Sequence, residues 1–311
     1  GDSGVACGVS SGSYKAIKEL ISLTQPDAPN LLDATTYVRY MPQSAAVNIS
    51  LFFSLKGRLV TTDVACAAGS LAIGSAYELI AAGKQTVMLA AGSDELSPFN
   101  TAIFDTLFAT SLKNDTPKAT PAPFDKNRDG LVIGEGAGCL VLEEYEHAKA
   151  RGVEILAELV GFAQNCDGRH ITQPNRIMME AVMRSAVEDA GIRPEQIGYV
   201  DAHGTATDIG DVEETNAVYS LFKRPVPISS QKSYTGHTLG ACGVLESFFA
   251  INMMKEKWFA PNLNLTEVDD RLPDLQYITG DGLHLDTEYV MSNNFAFGGV
   301  NTSLIFKRYD P

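Results

Sequence analysis

The chain has 311 residues, 45% of them hydrophobic and 20% charged, which suits one large globular fold or two smaller halves with substantial cores. Its formal net charge is −14, from 24 Lys+Arg against 38 Asp+Glu, and this argues against broad binding to nucleic acid or to an anionic membrane. The five cysteines, Cys7, Cys66, Cys139, Cys166 and Cys242, are odd in number and form no CxxC pair; zinc and a disulfide framework are not expected, and a reducing cytosol is. The longest apolar run, around Leu131–Leu142, is broken by Glu135 and by glycines, so no membrane span is expected, and no signal peptide is visible.

Taken in order, GDSGVACG reads as a strand over Val5–Cys7 entering a turn, as if the chain began inside a fold. Ser13–Leu23 has helical spacing and Gln25–Leu31 is a Pro/Asp/Asn loop. Asp33 and Thr36 suit a helix start, and helical character runs on to Gly57 with a break expected at Pro42. The β-branched run Leu59–Val64 predicts a strand, and the spacing of Leu71, Ile73, Ala76, Leu79 and Ile80 predicts a helix; Cys66 lies at the sharp turn between them. Unpaired N–H groups and the helix dipole there favour a thiolate, so Cys66 fits a nucleophile as well as a small buried apolar residue. Val87–Ala91 reads as a central strand, Phe99–Leu112 as a helix, Thr116–Gly138 as a long functional loop and Cys139–Leu142 as a strand. A second half begins near Val153, giving a division into 1–152 and 153–311. It holds strands at Ile155–Phe162, Ile197–Asp201, Val226–Ile228, Val290–Ser292 and Ser303–Lys307, and helices at Ile177–Ala190, Asp208–Phe222 and Leu239–Lys255. Strands alternating with helices in both halves predict a layered α/β fold with mostly parallel sheets, whose sites form at strand C-termini.

Four segments combine glycines with reactive side chains: Asp63–Cys66, Asp201–Asp208 (DAHGTATD), Lys232–His237 (KSYTGH) and Asn293–Gly299 (NNFAFGG). One cysteine and two histidines on separate loops suit a Cys–His nucleophile pair with a second imidazole. His147, His170 and His284 have no such setting; His147 reads as a helix-surface residue and His284 lies in a polar loop.

With PFDKNRDGLVIGEGAG (Pro123–Gly138), KSYTGHTLGACGVLE (Lys232–Glu246) and MSNNFAFGGVNTSLIF (Met291–Phe306), these motifs resemble those of the β-ketoacyl-acyl-carrier-protein synthases of the thiolase superfamily, elongating types I and II. The resemblance covers nearly the whole chain. It implies a thiolase-like α/β fold of two similar halves, the first incomplete because the family's opening strands and helices are lacking, with sheet edges and apolar faces left open. It implies Cys66 as nucleophile, with its own N–H and that of Phe297 as oxyanion hole and Ala296 in the gate. His203 and His237 become donors to a malonyl thioester, Lys232 a polarising group backed by Glu246, and Thr205 and Thr207 ligands of the phosphopantetheine arm. Met41, Leu131 and Phe297 fall in the acyl pocket. The implied activity is decarboxylative Claisen condensation in fatty-acid elongation, in the cytoplasm, with acyl carrier protein as partner and as a homodimer or a heterodimer with a related subunit. Neither nucleic acid nor membrane is implied, and no cofactor or catalytic metal.

The chain also departs from the family pattern. Ala296 replaces a usual Gly, which restricts the gate backbone. Leu131 replaces an aromatic. Asp201 replaces Asn, adding a charge that can raise the pKa of His203 or help hold a structural monovalent cation. Gln25–Arg39 carries Asp27 and Asp33, so docking of an acidic carrier is expected to use Lys15, Lys18 or Arg39, or part of the family's opening segment that is lacking here. Asp125, Arg128 and Asp129 read as braces of the long loop and Glu135 as a buried structural carboxylate, while Glu246 also fits a cap or pair within its helix. Other readings are a polyene or polyketide condensing enzyme, a decarboxylase or acyltransferase that does not condense, and a chain-length-factor-like partner, which typically lacks the nucleophile.

Overall fold

The computed structural model describes residues 2–310. The first half runs β1 (Gly4–Gly8), α1 (Tyr14–Ser22), α2 (Thr36–Tyr40), α3 (Ser44–Phe53), β2 (Leu59–Thr61), α4 (Ala68–Ala81), β3 (Val87–Asp94), α5 (Pro98–Thr106), β4 (Gly136–Glu143) and α6 (Tyr145–Arg151). The second runs β5 (Ala157–Cys166), α7 (Arg176–Asp189), β6 (Ile197–Asp201), α8 (Asp208–Phe222), β7 (Pro227–Ser229), α9 (Lys232–Thr235), α10 (Cys242–Glu256), β8 (Trp258–Phe259), β9 (Gln276–Tyr277), β10 (Leu283–His284), β11 (Tyr289–Phe295) and β12 (Val300–Arg308).

Two sheets carry the fold, one of four strands in the order β2-β1-β3-β4 and one of six in the order β5-β12-β11-β6-β7-β9. Five of their eight pairings are parallel. The run β7-β6-β11-β12 repeats β2-β1-β3-β4, each ending in one antiparallel pair. The expectation of two similar halves in a thiolase-like layered fold therefore holds.

Helices α4 and α10 lie between the sheets. Ile73, Met88, Phe162, Tyr199, Val244, Met254, Val290 and Leu304 form one buried cluster that joins both halves. Helices α7 and α8 cover the outer face of the larger sheet through Val182, Met183, Val218 and Leu221. The small residues around Cys66 have a packing reason. A Cβ on Gly69 would sit 2.7 Å from the Gly240 carbonyl oxygen, and one on Gly243 2.4 Å from Ser70 N, so the starts of α4 and α10 cross with their backbones nearly touching. Each of the two helices is entered through a short 3-10 turn, Ala65–Ala67 and Leu239–Ala241, whose first residue has positive φ (+48° at Ala65, +51° at Leu239).

Some boundaries differ from expectation. The helix predicted to Leu112 stops at Thr106, because Phe108 takes φ +53° and residues 109–111 instead exchange backbone hydrogen bonds with Leu131. The helix predicted from Leu239 begins at Cys242, after the 3-10 turn. Pro42 does separate two helices. At one edge of the smaller sheet, β2 lies beside α3, which leaves Leu51, Phe52 and Phe53 exposed.

Gly8, at the end of β1, packs against the start of α4, and a Cβ there would lie 2.2 Å from the Ala68 carbonyl carbon and oxygen. Backbone on both sides leaves no side chain to move aside. Gly8→Ala is expected to lower stability by about 1–3 kcal/mol in denaturant unfolding; an unchanged midpoint would contradict this packing.

Candidate active site

The strand-to-turn entry places Cys66 on the 3-10 turn before α4, almost fully buried against Ala67 and Ala296. His203 follows β6 and His237 follows α9. The Cys66 sulfur and one ring nitrogen of each histidine lie within 4.8 Å of one another. The two imidazoles meet edge to face with centroids 5.3 Å apart. All three line one cavity of about 390 Å³, together with Leu131, Thr205, Thr207, Ala296 and Phe297.

Hydrogen bonds behind the rings determine their tautomers. His203 Nδ1 lies 3.2 Å from Lys232 Nζ and 3.3 Å from Asn294 Nδ2, both of which can only donate. His237 Nδ1 accepts from Leu239 N–H at 3.2 Å. With Nδ1 an acceptor in both rings, the proton sits on Nε2, which faces the cavity. Burial, and next the Lys232 charge, hold both histidines well below the usual imidazole range, so both are neutral donors.

Lys232 and Glu246 lie behind His203, outside the cavity. Lys232 Nζ donates to Glu246 Oε1 at 2.5 Å, with the side chains 1% and 3% exposed, and Asn294 Nδ2 donates to Glu246 Oε2 at 2.7 Å. The His203 backbone is clamped as well: Glu214 accepts from His203 N–H and Gly204 N–H, each at 2.7 Å. Burial pushes the Glu214 carboxyl up to about 8. The two threonine hydroxyls, Thr205 and Thr207, are 2.9 Å apart on the cavity wall.

The loop after β11 is held by Ala296 N–H to Val300 O at 2.8 Å and Gly298 N–H to Ile171 O at 2.7 Å. Positive φ falls on Gly298 and Gly299; Ala296 has ordinary backbone angles, so its methyl is accommodated. The Phe297 ring stacks on Phe104 with centroids 5.5 Å apart. The backbone N–H groups of Phe297 and Cys66 itself both approach the sulfur and favour its charged form.

Several expectations are corrected. The thiol of Cys66 is not activated at rest: complete burial outweighs Lys232 and the two backbone donors, and its pKa is pushed up to about 11. Asp201 does not raise His203; that ring is depressed, and burial drives the Asp201 carboxyl itself well above its ordinary value. Met41 does not line the cavity of Cys66. It faces a separate one of about 470 Å³ with Ser11, Arg39 and Asp94, where it follows the C-terminus of α2. Glu135 is exposed and accepts from Leu96 N–H at 2.9 Å. His170, which has no functional setting in the sequence, lines the cavity while remaining exposed. The long loop is braced as expected: Asp125 accepts from Thr266 N–H and Glu267 N–H, Asp129 from Ser111 and Leu112, and Arg128 pairs with Asp269 at 2.6 Å. Asn294, Glu214, Phe104 and Cys242 escape sequence reasoning. Asn294 and Cys242 sit inside the motif strings, but nothing in the sequence alone marks Phe104 or Glu214.

Comparison with known proteins agrees with this geometry. Residues 1–148 match the family described as beta-ketoacyl synthase, N-terminal domain, and residues 156–266 match beta-ketoacyl synthase, C-terminal domain. The chain belongs to the β-ketoacyl synthase family. It is 38% identical to 3-oxoacyl-(acyl-carrier-protein) synthase 2 of Vibrio harveyi over 98% of its own length and 75% of that protein. It is 57% identical to the crystal structure of a beta-ketoacyl synthase from Burkholderia phymatum, with a TM-score of 0.97, covering 100% of this chain and 76% of that one. It is 31% identical to a chain from a type II polyketide acyl-carrier protein in complex with its ketosynthase bound to the hexaketide, with a TM-score of 0.93 over 99% of this chain and 78% of that one.

Only the thiolate is the nucleophile, and below its pKa the thiolate fraction rises about tenfold per pH unit. Alkylation of Cys66 by iodoacetamide, followed by peptide mass spectrometry, is expected to climb throughout pH 7–9. A rate that levels off below pH 8 would contradict the pKa of about 11.

Proposed function

We propose that this chain catalyses decarboxylative Claisen condensation of an acyl group, held on Cys66, with a malonyl group carried by acyl carrier protein, in fatty-acid elongation. The observation that carries this reading is the convergence of two neutral imidazoles, each with a ring nitrogen within 4.8 Å of the Cys66 sulfur, and two backbone N–H donors on one buried thiol. In the first step the Cys66 sulfur attacks the acyl thioester; the bond to the carrier sulfur breaks and the thiol proton passes to that leaving sulfur. The oxyanion of each tetrahedral intermediate sits on the N–H groups of Cys66 and Phe297, a device whose loss typically costs about 2.7–4 kcal/mol per donor. In the second step the malonyl C–C bond breaks, carbon dioxide leaves and the electron pair becomes an enolate, with His203 and His237 donating to its thioester oxygen. The enolate carbon attacks the acyl carbonyl, and the Cys66 thiolate departs from the β-ketoacyl product and takes up one proton from water to restore the resting thiol. Neutral imidazoles suit this task because they donate without taking the substrate's charge. Thr205 and Thr207 hold the phosphopantetheine arm on the cavity wall.

Lys232 and Glu246 act from behind, as the pair that keeps His203 aligned. Asp201 is buried with both carboxylate oxygens lacking a hydrogen-bond partner, and Ser292, its register partner across β6 and β11, has an unpartnered hydroxyl. Oxygen donors in this state fit a hard cation, and these two residues would hold a monovalent one whose charge offsets the local excess of carboxylates. Acyl carrier protein is the macromolecular partner, a reading supported by the 31% identical neighbour, whose structure is a complex of an acyl-carrier protein with its ketosynthase. The open edge of β2 beside Phe52 and Phe53 supports pairing with a second copy or a related subunit. The site of action in this reading is the cytoplasm, supported by the bacterial 3-oxoacyl-(acyl-carrier-protein) synthases among the relatives; no described helix is long and apolar enough to cross a membrane. A polyketide-type substrate is the second reading, supported by that same neighbour. A chain-length-factor role accords poorly with the presence of Cys66, His203, His237 and Lys232 together.

Incubation with acyl- and malonyl-carrier thioesters tests the proposal. An acyl mass increment on the Cys66 peptide and a β-ketoacyl product are expected, with both lost in Cys66→Ala. Acylation without product would leave only an acyltransferase, and the absence of both signals would overturn the reading.

A further inference from the structure

Cys242 opens α10 directly behind His237 and is 1% exposed. Its sulfur lies 3.1 Å from His237 Nδ1, the same atom that accepts from Leu239 N–H. The Thr238 hydroxyl donates to that sulfur at 3.5 Å. Burial pushes the thiol far up, with Lys232 the main opposing influence, so Cys242 stays an S–H group. A thiol facing a ring nitrogen that already accepts one backbone hydrogen bond can only donate to it.

We propose that Cys242 is a positioning residue: its S–H is the second donor on His237 Nδ1, fixing the ring with Nε2–H toward the cavity. This rests on the condensing role proposed for His237. Two donors on Nδ1 oppose protonation there, since an imidazolium would face both across its new N–H. They also leave the ring one orientation, as a flip would place carbon where both donors point. Removing the thiol therefore frees half of the acceptor and makes the ring easier to protonate. The other titratable groups around the ring are Cys66 and His203 across the cavity, Lys232 paired with Glu246, and Asp94, which accepts from Gly240 N–H at 2.6 Å in the turn that leads to Cys242. None of them donates to Nδ1 of His237.

The test is histidine-selective 15N NMR of the wild type, Cys242→Ala and Cys242→Ser, with thermal unfolding to separate a folding defect from a change at the ring. In the wild type His237 is expected as the Nε2–H tautomer. In Cys242→Ala the ring is expected to titrate about half to one pH unit higher, the equivalent of one ordinary hydrogen bond. Decarboxylation of the malonyl thioester is expected to fall about three- to tenfold in kcat with KM little changed, and its acid limb to move up by the same interval. Cys242→Ser keeps a donor and is expected to return the titration close to the wild type. An unchanged titration in Cys242→Ala overturns the proposal, and so does a serine variant that titrates as high as the alanine one. The ring titration needs no substrate, so a wild type that fails to condense sinks the functional reading and leaves this measurement standing.

Discussion

The buried pair of Lys232 and Glu246 is the constraint on which the site depends. Two full charges almost out of reach of water cost several kcal/mol each to desolvate, and they are tolerated only with close partners. Burial works against the Lys232 ammonium, but the Glu246 carboxylate 2.5 Å away keeps it charged. Asn294 ties the second Glu246 oxygen to His203 Nδ1, and Lys232 reaches that same nitrogen. The Lys232 charge thus adds to burial in depressing both histidines and orients one of them. These bonds tie together four polar side chains from β11, α9, α10 and the turn after β6, which specifies the site more strongly than apolar packing alone does.

The nucleophile reaches this network through close backbone packing. Glycines and alanines at the starts of α4 and α10 let two helices from different halves cross in close backbone contact, beside the side chains of Ser70 and Val244. The crossing carries Cys66 and the turn after His237 on equivalent 3-10 turns, so the repeated strand order of the two halves becomes a site at their junction. Because that junction excludes water, the thiol at rest is protonated while the two rings stay neutral. Condensation chemistry suits such a dry site: donors keep their full strength, and a carbanion is shielded from protonation by solvent.

Much of this site is legible in the residues. The Cys66 turn, the two His loops and the Phe/Gly turn after β11 are all placed by local signals, because strand-to-helix turns and glycine-rich loops leave short-range patterns. What escapes depends on distance in space. The end of α5 falls short of its predicted place because Leu131, far along the chain, captures residues 109–111. The pKa of Cys66 runs opposite to expectation because the helix start is visible in sequence while the depth of burial is not. Met41 faces another cavity, and no signal in the sequence tells which cavity a side chain between two short helices will line. Asp201 reads as a charge acting on His203, yet the depth of burial that decides its state is not visible in the sequence.

A double-mutant cycle over Lys232 and Glu246, read by denaturant unfolding, tests this dependence most directly. Lys232→Met and Glu246→Leu are each expected to cost about 3–5 kcal/mol, since each leaves a buried charge unpaired. The double variant is expected to cost well under the sum, because removing both charges removes both desolvation penalties. Costs that simply add would show the two charges to be independent and would contradict the dependence of the site on their pairing.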